Sequence, residues 1–155
     1  MSLTNIQGAL RANFRRAVPH VRELGIEVSI CEPEYVEMML PYREDWLGDV
    51  ERGVIHTGVI TTLVDSACGL ALLAHLSTLE PIATLDLRMD YLRPAFAPKP
   101  VWCRAECYRS TENIVFMRAS CWQDDRAQPV SATQAAFMRT TRSRPRPNMI
   151  PANEP

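Results

Sequence analysis

Between Val59 and Leu76 apolar residues fall at so many helical positions, Ile60, Leu63, Val64, Ala67, Cys68 and Leu70 to Ala74 among them, that no face is left polar. The pattern predicts a helix that is apolar nearly all round and therefore buried on every side. Thr61, Thr62, Asp65, Ser66 and His75 interrupt it. No uninterrupted run reaches the ~18 apolar residues of a membrane span, so a core helix is expected and no membrane.

After Pro81 the period changes from helical to alternating. Leu85, Leu87, Met89 and Tyr91 point one way and Asp86, Arg88 and Asp90 the other, until Pro94 ends the strand. A Pro-rich turn leads into Val101–Ser110, with Val101, Cys103, Ala105 and Cys107 on its apolar face. Ile114–Trp122 turns Val115, Met117, Ala119 and Cys121 inward, and Val130–Arg139 carries Ala132, Gln134, Ala136 and Met138 on one face. Upstream, Leu3–Ala17 reads as an amphipathic helix ended by Pro19, followed by strands at Gly25–Cys31 and Tyr35–Tyr42 around Glu32-Pro33-Glu34. Arg43 to Gly53 is polar and reads as a loop. The chain thus divides into an N-terminal helical segment (1–20), one domain (21–140) and a Pro- and Arg-rich tail (141–155) with little to bury, expected to be disordered from about Thr141.

Two strands, one very apolar helix and four more strands ask for an α+β architecture in which a curved antiparallel sheet wraps a central helix, the hotdog fold. One sheet cannot cover every side of such a helix. The remaining apolar surface and an edge strand need a second copy of the chain, so a homodimer is expected, with a tetramer as a dimer of dimers left open.

The 155 residues are about one domain's worth, enough to build a core without disulfides or a structural metal. A formal net charge of −1 gives no reason to expect nucleic acid. The five cysteines are odd in number and lack metal-ligand spacing, which fits free thiols in a reducing cytoplasm and no metal site. The first twenty residues show no apolar core or cleavage site of a secretory signal.

Asp65 is the anomaly, since an ionisable group in an apolar helix costs several kcal/mol unless it is paired or hydrogen-bonded. Carboxylates in apolar clefts make better bases or nucleophiles than surface ones, which points to catalysis. The alternative is a structural Asp bonded to loop backbone or to Thr61. His56 stands before the helix, where first-turn N–H groups lack intrahelical partners. Thr57 and Gly58 are therefore candidate donors to the oxyanion formed on attack at an acyl carbonyl, with local hydrogen bonding as the alternative for His56. His20 and His75 have no ligand-spaced neighbours and read as structural. No GxSxG, P-loop, GxGxxG or HExxH pattern occurs, so a reaction here must use a carboxylate and backbone donors.

The run G-V-I-H-T-G-V-I-T-T-L-V-D-S-A-C-G-L-A, Gly53 to Ala71, resembles the helix-start motif of the phenylacetic-acid-degradation (PaaI-type) hotdog thioesterases, roughly GxxHGGxxxxLxDxAxGxA. His56, Gly58, Leu63, Asp65, Ala67, Gly69 and Ala71 fall in register, and ATLDLRMDYLRPA resembles the family's next strand. The resemblance spans roughly residues 20 to 140. It implies Asp65 as general base or nucleophile, a backbone amide of Thr57 or Gly58 polarising the thioester carbonyl, and Thr84, ten residues before Pro94, placing the water. It also implies a site shared by two subunits. Thr57 departs from the first glycine of HGG, and Val50 from an Asn common in the substrate-facing loop, so Asp49 or Glu51 would have to replace that Asn.

The expected reaction is hydrolysis of an aryl- or medium-chain acyl-CoA to free acid and CoA, without metal or redox cofactor, with Arg93 and Arg139 as candidates for the CoA phosphates. Two alternatives stand beside it: a hotdog that binds acyl-CoA without turnover, and an acyl-CoA hydratase or dehydratase. The latter needs an acid and a His closer than the nine residues from His56 to Asp65.

Overall fold

The computed structural model describes residues 3–139; the expected disordered tail lies outside the described residues. Helix α1 (Leu3–Ala17) is followed by α2 (Pro19–Glu23), so Pro19 both ends one helix and opens the next as its first residue. Strands β1 (Glu27–Cys31) and β2 (Val36–Leu40) lead to a short 3-10 turn (Glu44–Trp46) and a small hairpin, β3 (Leu47–Asp49) and β4 (Val54–Ile55). The long helix α3 (Thr57–Leu76) comes next, then β5 (Ile82–Tyr91), β6 (Val101–Ser110), β7 (Ile114–Trp122) and β8 (Ser131–Arg139). The stretch expected to be a plain loop, 43–53, thus holds the turn and most of the hairpin, anchored by the buried Trp46.

Six strands form one antiparallel sheet in the order β1-β2-β6-β7-β8-β5. The sheet curls around α3, as expected of a hotdog fold. Its inner face is set by alternation: Val101, Cys103 and Ala105 on β6 and Val115, Met117, Ala119 and Cys121 on β7 are buried against the helix. On β8 the buried face is Ser131, Thr133, Ala135 and Phe137, and Ala132, Gln134 and Met138 are exposed on the other. On β5 the expected alternation breaks at Leu85. Thr84 pairs with Phe137 and Asp86 with Ala136, so Leu85 is the extra residue of a bulge and is 49% exposed. The bulge lets Thr84 on one side of it and Leu87, Met89 and Tyr91 on the other share the inner register.

Helix α3 is long and apolar enough to span a membrane, but the sheet encloses it as a core helix. Within the one chain its burial is not complete, as expected of a helix that a single sheet cannot cover on every side. Thr62, Asp65, Gly69 and Leu73 recur at helical spacing as a half-buried stripe, while Ile60, Leu63, Val64, Ala67 and Leu70 face the sheet, fully buried. At its C-terminal end Ser77 caps in the left-handed conformation, and Gln7 of α1 donates to the Ala74 carbonyl at 3.2 Å and to Ser77 Oγ at 3.1 Å. The first helix therefore closes the end of the core.

All five cysteines are free thiols, and only Cys107 is not buried. Burial, reinforced by Glu32, pushes the Cys31 thiol up to about 11. Burial also raises Cys68, and a hydrogen bond with Cys121 together with burial raises Cys103. Since the thiolate is the reactive form, a thiol reagent at pH 8 is expected to modify at most Cys107 quickly in the folded protein and all five cysteines in denaturant. Four or five fast thiols in the folded state would contradict this packing.

Candidate active site

The start of α3 is built by its neighbours. His56 is the N-cap, in extended conformation (φ −63°, ψ 129°), and its Nδ1 accepts the Gly58 N–H at 3.0 Å. With Nδ1 as acceptor, the neutral ring carries its proton on Nε2. The His56 N–H donates to the Trp46 carbonyl at 2.8 Å, and the Ile55 N–H to the Ala95 carbonyl at 2.9 Å. The 3-10 turn and the loop after β5 therefore fix where the helix begins. Two glycines make room for the His56 ring: a Cβ on Gly48 would lie 3.1 Å from His56 Cα, and one on Gly58 would lie 3.0 Å from Nδ1.

The two candidate oxyanion donors are thereby separated. The Gly58 N–H is occupied by His56, and the Thr57 N–H has no partner among the described residues. Local hydrogen bonding, the alternative reading of His56, is what its ring does. The Thr57 carbonyl is also held: Tyr91 Oη lies 3.0 Å and Thr61 Oγ1 3.1 Å from it, and the two hydroxyls are 2.9 Å apart.

Two turns along the helix, Asp65 sits half-buried on the open stripe. Thr84 of β5 donates its hydroxyl to Asp65 Oδ1 at 2.9 Å. Thr61, the alternative partner, turns to Tyr91 instead. Thr84, expected to place a water, engages the carboxylate through its hydroxyl, and no partner among the described residues occupies Oδ2.

An open cleft of about 270 Å³ lies beside the helix start, lined chiefly by Ile55, Thr57, Ile60, Tyr91, Arg93 and Val130. Arg93 stands on this cleft and donates to Gln128 Oε1 at 2.8 Å. Arg139 is at the far end of the β5–β8 pair, where Ile82 opposes it, whereas Tyr91 opposes Ser131. Its guanidinium is clamped by Glu80 at 2.8 and 3.3 Å, and that bond holds it above the usual arginine range. Val50 is exposed in the hairpin turn, and Asp49 accepts the Arg52 N–H and faces the Arg52 guanidinium instead of His56.

Tyr91 is the residue that sequence reasoning placed only on one face of its strand, with Leu85, Leu87 and Met89. The available signal was chemical: a tyrosine on an inner sheet face beside a helix start needs a partner for its hydroxyl.

An antiparallel sheet around a central helix that bears a threonine-held aspartate, with an unoccupied amide at the helix start, defines a hotdog protein with the parts for attack at an acyl carbonyl. The chain belongs to the Thioesterase superfamily, whose family model matches residues 52–130. A Pseudomonas aeruginosa protein of known crystal structure is 40% identical, with a TM-score of 0.77 over 87% of this chain and 99% of that one. The medium/long-chain acyl-CoA thioesterase YigI of Escherichia coli K12 is 25% identical over 134 residues, 78% of this chain and 85% of its own. A variant of the phenylacetic acid degradation protein PaaI from Thermus thermophilus is 27% identical, with a TM-score of 0.70 over 79% and 100% of the two chains.

The two glycines give a graded expectation. Gly48→Ala brings a methyl against the His56 backbone, which cannot rotate away, and should cost ~1–3 kcal/mol. Gly58→Ala meets only the ring, which can swing off at the loss of the cap, ~1 kcal/mol. Denaturant titration is expected to rank Gly48→Ala as the less stable; the reverse order would contradict this packing of the helix start.

Proposed function

We propose that the protein hydrolyses acyl-CoA thioesters, aryl or medium-chain, to the free acid and CoA in a site assembled from two copies of the chain. The observation that carries this reading is the Asp65–Thr84 pair on the open stripe of α3. Thr84 fixes one carboxylate oxygen and leaves the other to take a proton from water. The water oxygen attacks the thioester carbonyl, whose oxygen becomes an anion held by the Thr57 N–H and the positive end of the helix. Collapse of that intermediate breaks the C–S bond, and the proton on Asp65 passes to the departing CoA thiolate. The reaction as written needs no metal or redox cofactor.

Geometry asks for the second copy. Thr57 and Asp65 are eight residues apart on one helix, which at ~1.5 Å per residue is ~12 Å along its axis. The oxyanion donor must lie ~3 Å from the carbonyl oxygen, and the base ~3 Å from a water that is itself ~3–3.5 Å from the carbonyl carbon, a reach shorter than this separation, so one chain does not supply both. The unpaired edge of β5 and the open stripe of α3 are the surfaces a partner would cover. The cleft at the helix start takes part of the acyl-CoA, with Arg93 the better placed of the two arginines for its phosphates. The thioesterase activity in the name of YigI agrees with this reading, and the free thiols agree with a cytoplasmic setting. The His56 ring accepts the Gly58 N–H through Nδ1 and Asp65 accepts from Thr84, commitments that do not favour the acid–His pair of a hydratase.

Free-thiol release from a panel of aryl- and short- to long-chain acyl-CoAs tests the reading. The wild type should release thiol, and Asp65→Asn, folded by circular dichroism, should be ~100-fold slower or worse, the size of a lost general base. If the wild type binds acyl-CoA but releases no thiol from any of them, the protein is a binding hotdog and Asp65 is structural.

A further inference from the structure

Residue 57 is a threonine where the resembling motif has glycine, and the backbone on both sides of it is tied. On its N-terminal side the His56 N–H is held by the Trp46 carbonyl at 2.8 Å. On its C-terminal side the Thr57–Gly58 peptide is held at both ends, its N–H by His56 Nδ1 and its oxygen by the hydroxyls of Thr61 and Tyr91. Thr61 belongs to the same helix and would follow it if it moved. Tyr91 belongs to β5 and ties the helix start to the sheet.

Each hydroxyl has one proton. Both can donate to the Thr57 carbonyl, or one donates to the carbonyl while the other donates to its neighbour's oxygen. In each arrangement the tyrosine hydroxyl completes the network, and bonds in such a chain polarise and reinforce one another. Its reach depends on the Leu85 bulge, which puts Tyr91 in the inner register together with Thr84. One strand therefore positions both halves of the chemistry, Asp65 through Thr84 and the Thr57 amide through Tyr91.

We infer that Tyr91 is a positioning residue for hydrolysis: its hydroxyl holds the first turn of α3 so that the Thr57 N–H stays aimed at the developing oxyanion. This rests on the thioesterase reading above. A donor that waits at the oxyanion position stabilises the transition state more than the bound substrate, so its misalignment lowers kcat and leaves KM nearly unchanged.

The test is Tyr91→Phe, which keeps the ring and removes only the hydroxyl, read by steady-state kinetics on the best acyl-CoA and by amide hydrogen exchange on the free protein. The expected result is a fall in kcat of roughly tenfold, within what small misplacements cost, with KM changed less than twofold. Exchange at Gly58 and Val59 should be several-fold faster, with the centre of α3 unaffected. Tyr91→His or Tyr91→Gln, each able to present a donor from a different geometry, should not recover the loss. Wild-type kcat in Tyr91→Phe, or a rise in KM that accounts for the whole loss, overturns the inference and makes Tyr91 a wall of the cleft. A wild type without hydrolysis overturns the thioesterase reading and the catalytic role with it. The exchange data still distinguish the two failures, since unchanged exchange means that the hydroxyl does not hold the helix start at all.

Discussion

The structure depends on enclosing one twenty-residue apolar helix in a single curled sheet. A helix ~10 Å across, packed on one sheet, is covered over most of its circumference but not all of it. The side left over is where half-buried and polar residues can stand without the full cost of desolvation. Asp65 stands there, beside Thr84 on the edge strand, and the helix start opens onto the cleft next to it. The site is thus a consequence of incomplete wrapping, and the same incompleteness leaves surfaces for a second copy.

The start of α3 shows how little freedom the chain leaves at the point where a carbonyl would bind. Trp46, Ala95, His56, Thr61 and Tyr91 each contribute one hydrogen bond, from four separate stretches of chain. His56 spends its ring on the cap, and the free donor is the amide one residue earlier than the glycine that matches the motif. Threonine at 57 keeps that N–H, and its carbonyl and side chain sit among groups that restrain the backbone a glycine would leave loose.

Much of this was legible in the sequence because the periods were clean. The apolar run of α3, the alternation on β6 and β7, and the motif from Gly53 to Ala71 led to a hotdog fold with the acid on its central helix. What escaped has local causes. The bulge at Leu85 shifts the inner register by one residue, so a strict two-residue alternation puts Leu85 on the wrong face. The inner face of β8 carries Ser131 and Thr133, which hydropathy alone assigns to solvent. The hairpin at 47–55 is too short and polar to stand out from a loop. Arg139 and Arg93 look alike in sequence, and only the position of Glu80 shows that one of them is already paired. The roles of Tyr91 and Thr84 depend on contacts across 34 and 19 residues of chain, beyond the reach of any local pattern.

The central claim is that donor and acid act on one carbonyl from different subunits, and mixed oligomers test it most directly. Thr57→Pro removes the candidate donor at a position where a helix accepts proline, after a His56 already in the extended conformation that proline favours. Asp65→Asn removes the base. Each variant alone should be nearly inactive on acyl-CoA. A purified heterodimer carrying one of each, in a two-fold arrangement, holds one doubly damaged site and one intact site, and should recover about half of the wild-type rate. A heterodimer no more active than its parents would place both groups in one chain's site and contradict the account.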